Sequence, residues 1–106
     1  MAWFYLITAG LFEVVWAWSM KMSEGFSRPL PTAVTLVAMV ISFALLSISM
    51  RSLPLGTAYT MWTGIGAVGA FLVGITVLGE AVTPMRLLAA ALIVCGLVLM
   101  KLSASP

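Results

Sequence analysis

Glu13 is the residue in this sequence best placed to do chemistry, because it interrupts the otherwise apolar stretch from Met1 to Met20. An ionised carboxylate inside a hydrocarbon environment costs several kcal/mol, so an acid in such a place marks an ion or proton site by default. Desolvation penalises its charged form, which suits the group to holding either a proton or a cation and exchanging one for the other. The plainer alternative is a neutral glutamate hydrogen-bonded between helices. A glutamine would do that work without titrating.

On a helix, Gly10, Trp16 and Ala17 share the face of Glu13, at three and four residues' distance. Gly10 is expected to leave room beside the carboxylate, and Trp16 offers an indole N–H and an aromatic wall. Further along, Tyr59, Trp62, Thr63 and Gly66 repeat the same spacing. Tyrosine and tryptophan near span ends are commonly interfacial anchors, a role that suits Trp3 and Tyr5 better than Trp62. Ser42 lies mid-way along its own stretch, at the depth of Glu13, although a serine in such a helix often bonds its own preceding turn.

These residues need elements to hold them, and composition says what kind. Of 106 residues, 63% are hydrophobic and 8% charged, with mean hydropathy +1.21. Eight charges cannot coat a water-facing surface of this size, which excludes a soluble enzyme or signalling module as well as a disordered chain. The net charge of +2 comes from scattered basic residues that form no patch, so no nucleic-acid partner is expected. One cysteine and no histidine leave no disulfide framework and no metal site. Hydrolytic motifs, phosphate loops and cofactor signatures are absent from the sequence, so neither a cofactor nor an enzymatic activity is expected.

About 20 apolar residues cross a bilayer as a helix. Pro29 to Met50 gives 22 uncharged residues and Ser52 to Gly79 gives 28. Leu87 to Met100 gives only 14, and reaches spanning length if the helix starts at Thr83-Pro84 and Lys101 snorkels at its end. The expectation is an all-α membrane protein: one four-helix transmembrane domain over 1–106, with spans near 3–20, 31–50, 57–78 and 84–101. Pro31 is expected to open the second span, and Ser52 to Gly56 to form the turn before the third. Ala17-Trp18-Ser19 has the look of a signal-cleavage site. The stretch before it lacks a basic start and contains Glu13, so it is expected to remain as a span.

Basic residues mark cytoplasmic loops. Here Arg51 and Lys101 fall on one side and Lys21, Arg28 and Arg86 on the other, a difference of one. Either another signal decides the orientation or the protein inserts both ways and pairs with an inverted copy of itself. Four short helices enclose little volume, so a cavity around Glu13 is more readily built between two subunits. Gly66, Ala70 and Gly74 form a small-residue row for close helix packing, whereas Gly64 and Gly66 could serve as a bending point. Ala89, Ala90 and Gly96 suggest a tightly packed seam on the fourth span, possible between subunits.

The length, the four spans, Gly10-x-x-Glu13 and Tyr59-Thr60-Met61-Trp62-Thr63-Gly64-Ile65-Gly66-Ala67 resemble the small multidrug resistance transporters. Lys21, the loop Gly25-Phe26-Ser27-Arg28 and Leu53-Pro54-Leu55-Gly56-Thr57-Ala58-Tyr59 extend the similarity over the whole chain. Glu13-Val14-Val15-Trp16, Trp62 to Ala67 and Lys101 resemble the guanidinium-exporter branch; the multidrug branch typically has glycine where Trp16 stands. Trp18-Ser19-Met20 and Thr60-Met61 depart from the pattern, near the route by which substrate tails would reach the membrane.

The resemblance implies an antiparallel, dual-topology homodimer in the cell (inner) membrane that exports a guanidinium or substituted guanidinyl cation in exchange for protons. By the same resemblance, Glu13 binds proton or substrate in competition, and Trp16, Ser42, Tyr59 and Trp62 orient it and line the pocket. Gly10 and Thr63 belong to that pocket, Gly64 and Gly66 permit a bend, and the fourth helices hold the dimer together. The rival readings are a promiscuous exporter of quaternary ammonium and other hydrophobic cations, a small ion channel, and an accessory subunit of a dissimilar partner.

Overall fold

The computed structural model describes residues 1–103, folded into four α-helices: α1 (Ala2–Met22), α2 (Pro29–Ser49), α3 (Leu55–Thr76) and α4 (Pro84–Ser103). No strand occurs among the described residues. Each helix is long and apolar enough to cross a membrane. Without water to satisfy them, backbone polar groups in the hydrocarbon must bond within their own helix, which is why apolar stretches of this length fold this way.

The ends of the helices are set by a few residues. α2 begins at Pro29, not at Pro31: both prolines fit the first turn, where a backbone N–H has no helical partner to lose. Leu55 and Gly56, expected in the preceding turn, instead form the start of α3 behind Pro54. Thr83 caps α4, its Oγ1 accepting the backbone N–H of Arg86 at 3.1 Å.

The α1–α2 connection is unusually constrained. Glu24, Gly25 and Phe26 all have positive φ, at 50°, 74° and 66°. Ser23, fully buried, fixes this turn: its hydroxyl donates to Met20 O at 2.7 Å and accepts the Phe26 N–H at 3.0 Å.

α1 is the central element, packed on both α2 and α3, while at the backbone level α4 approaches only α3. The core lies where the first half of α1 meets the second half of α2 and the start of α3, with Leu6, Ala9, Leu46, Ala58, Met61 and Trp62 buried together. α4 contributes no buried residue, and the Cα trace spans 45 × 34 × 16 Å. The Cα atoms of one helix lie within about 5 Å and packed helix axes stand about 8–10 Å apart, so the thinnest dimension holds about two layers of helix.

Candidate functional site

Glu13 sits half-way along α1, with its carboxylate laid against the backbone of Gly66 on α3. A Cβ at position 66 would overlap Oε1, so the carboxylate occupies the space that glycine leaves. Oε1 is buried and has no hydrogen-bond partner among the described residues. The same holds for the indole Nε1 of Trp16, one turn further along α1. Two polar groups are thus buried side by side on α1 without a partner among the described residues, a costly arrangement that calls for an explanation.

Ser42 and Trp62 build the wall beside them. The Trp62 indole donates to Ser42 Oγ at 2.9 Å, and Ser42 donates in turn to the Ala9 carbonyl of α1 at 2.7 Å. The serine therefore bonds across helices instead of to its own preceding turn. Trp16, Phe43, Trp62 and Tyr59 continue as a run of aromatic contacts, with centroid separations of 6.3, 5.7 and 5.6 Å. The first two contacts are edge-to-face, the arrangement ring quadrupoles favour.

The remaining expected residues divide between this site and elsewhere. Gly10 is buried, but the side chain against it is Ile65, whose Cβ would lie 2.8 Å from an added Cβ. The space beside the carboxylate comes from Gly66. Gly64 packs on Leu97 of α4, and α3 runs through both glycines without interruption. Tyr59 is exposed and, with Thr63, Gly64 and Gly96, lines an α3–α4 groove of about 510 Å³. Ala89 and Ala90 line a separate, smaller depression of about 260 Å³ with Phe71 and Arg86.

Sequence reasoning missed Phe43, which joins Trp16 to Trp62. Its position next to Ser42 was the available signal. A second missed feature is a cavity of about 340 Å³ lined by Trp18, Lys21, Ala70, Gly74, Glu80 and Arg86, among others. The density of charge around the third loop could have pointed to it.

The family model for the Small Multidrug Resistance protein matches residues 1–93. The chain belongs to the Small Multidrug Resistance family. It is a multi-pass membrane protein of that family, and the Glu13 site lies within the matched region. Among curated Small Multidrug Resistance relatives, it is 56% identical over 103 residues to the guanidinium exporter of Escherichia coli, covering 97% of this chain and 98% of that one. It is 58% identical over 104 residues to the guanidinium exporter of Salmonella typhimurium, covering 98% and 99%. The guanidinium exporter of Citrobacter freundii is 54% identical over 103 residues, covering 97% and 98%.

Proposed function

We propose that this protein exports guanidinium, or small substituted guanidinyl cations, in exchange for protons. It works as an antiparallel, dual-topology homodimer in which proton and cation compete for Glu13 of both subunits. The observation that carries the reading is the buried, unpartnered Glu13 Oε1 on Gly66. The names of the relatives supply the substrate class.

Guanidinium is planar and presents N–H donors in a fork that matches carboxylates. Two Glu13 carboxylates, one from each subunit, hold it, and the rings of Trp16 and Trp62 cover its faces. The Ser42 hydroxyl keeps Trp62 at its angle, and Tyr59 closes the aromatic run. Two protons on the same carboxylates are the competing occupant, so the empty, charged pair is the costly state. Coupling follows from exclusive occupancy together with an inward–outward exchange of the two inverted subunits. The bare outer surface of α4, with Ala89, Ala90 and Gly96 on that helix, supports a seam with a second copy.

The test is proton movement across liposomes containing only this protein, on addition of guanidinium, a substituted guanidinium or tetraethylammonium. The expected result is a signal for the guanidinyl cations that disappears in Glu13→Gln. A larger response to tetraethylammonium would overturn the substrate class in favour of a multidrug exporter. Coupling that persists in Glu13→Gln would overturn the site.

A further inference from the structure

The cavity of about 340 Å³ lined by α1, α3, the loop 77–83 and the first turn of α4 lies outside the Glu13 site, one helical turn from it. Its inner lining includes Ala17 and Ala70, each one helical turn beyond Glu13 and Gly66 respectively. Its outer lining includes Lys21, Glu80 and Arg86. Glu80 is placed there firmly: its backbone N–H donates to Gly74 O at 2.9 Å, and its carboxylate lies where a Cβ on Gly74 would stand. Two carboxylates therefore rest on two glycines of one α3 row, Glu13 on Gly66 and Glu80 on Gly74, with Ala70 between. Eight residues of helix separate those glycines by about 12 Å along the axis.

Arg86 holds its guanidinium against the outer carboxylate. Its Nη2 lies 3.8 Å from Glu80 Oε1, its Nη1 donates to Ala81 O at 3.1 Å, and its Cζ stands 5.6 Å from the centre of the Phe71 ring. A carboxylate, a carbonyl and an aromatic face are what a free guanidinium would need. Here the chain supplies the cation from its own side chain. The pair is about half exposed, at 44% and 43%, so water and solutes reach it.

We propose that Glu80 is an outer binding residue for guanidinium cations on the way to or from Glu13, and that Arg86 occupies it as a built-in competitor which an arriving cation displaces. This rests on the guanidinyl reading of the Glu13 site. A merely structural ion pair would couple the two residues in the same direction, because losing either partner would loosen the loop alike. A competitor predicts opposite signs.

The experiment measures KM and maximal rate for guanidinium-driven proton movement in liposomes, for the unmodified protein, Glu80→Gln, Arg86→Gln and the double variant. Arg86→Gln is expected to lower KM by about threefold, the scale an exposed ion pair supports. Glu80→Gln is expected to raise KM by a similar factor with the maximal rate kept, and the double variant to behave as Glu80→Gln does. Arg86→Lys, which keeps the charge but loses the fork, gives a smaller fall in KM and serves if Arg86→Gln does not fold. Shifts of the same sign, or none, overturn the inference while leaving a Glu13-dependent signal intact. Silence of the unmodified protein overturns it together with the proposed function.

Discussion

The Trp62 indole N–H and the Ser42 hydroxyl form a 2.9 Å hydrogen bond between α3 and α2, and the same hydroxyl donates to Ala9 O on α1. In a regular helix Ala9 O is also the acceptor for the backbone N–H of Glu13, four residues on. One serine thus ties the aromatic wall to the turn of backbone that carries the acid. Ser42→Ala leaves the Trp62 donor buried without a partner. Membrane hydrogen bonds of this kind are worth about 0.6–1.7 kcal/mol, so a lower Tm and a blue shift in tryptophan emission are expected. Ser42→Thr, which keeps the hydroxyl, should restore most of both; a Ser42→Ala protein indistinguishable from the original would show that the bond does not position Trp62.

Gly66→Ala should abolish guanidinium transport while leaving a helical, membrane-inserted protein. The new methyl group would take the space of the Glu13 carboxylate, and the side chain opposite it is itself the reactive group. Circular dichroism and the liposome assay together check this. Transport at the original rate would mean that the carboxylate works from another position.

Two further glycines should respond to alanine with opposite signs. Gly25 has φ +74°, so alanine there is strained whatever the space, at a cost of about 1 kcal/mol. Gly56 sits in the first turn of α3 with nothing within 4 Å of an added Cβ. There alanine should add roughly 0.5–1 kcal/mol of stability by restricting the unfolded chain. Thermal melts of the two variants in one detergent decide the matter.

Competition between proton and cation at Glu13 fixes the direction of the pH response. Lowering pH fills the carboxylate with protons, so the apparent KM for guanidinium should rise as pH falls. Where the protonated form dominates, the rise should approach about tenfold per pH unit for each proton displaced, by linkage. A KM that is flat or falls toward acid pH would count against shared occupancy.

If both subunits must contribute Glu13, mixing unmodified and Glu13→Gln copies before assembly should give activity that follows the square of the unmodified fraction. A linear decline would mean that one carboxylate suffices.

Much of this architecture could be read from the chain. Four membrane helices follow from where Arg28, Arg51, Glu80 and Arg86 punctuate the apolar stretches, and all four are exposed between or at the ends of helices. α2 starts two residues before the expected Pro31 because two prolines, Pro29 and Pro31, fit an N-terminal turn equally well. Glu13, Trp16, Ser42 and Trp62 stand out by type and depth, but their partners depend on how each helix is rotated about its axis. Periodicity alone does not set that rotation in helices that are apolar on every side. For this reason the spacing points to Gly10 beside the carboxylate, whereas Ile65 packs on Gly10 and Glu13 lies on Gly66. The Glu80–Arg86 cluster joins a loop residue to the first turn of α4, and no period operates across that loop.

The order of packing along the chain also has a consequence for biogenesis. α1 and α2 share the most extensive backbone contact and are joined by a turn that Ser23 holds shut. That hairpin has most of its mutual surface available before the ribosome has finished α3, so it can leave the insertion machinery as a zipped pair. α4 is made after the other three, meets only α3 at the backbone level and has no fully buried residue. Its settlement in the bilayer is therefore a late event, sensitive to what the membrane around it contains at that moment.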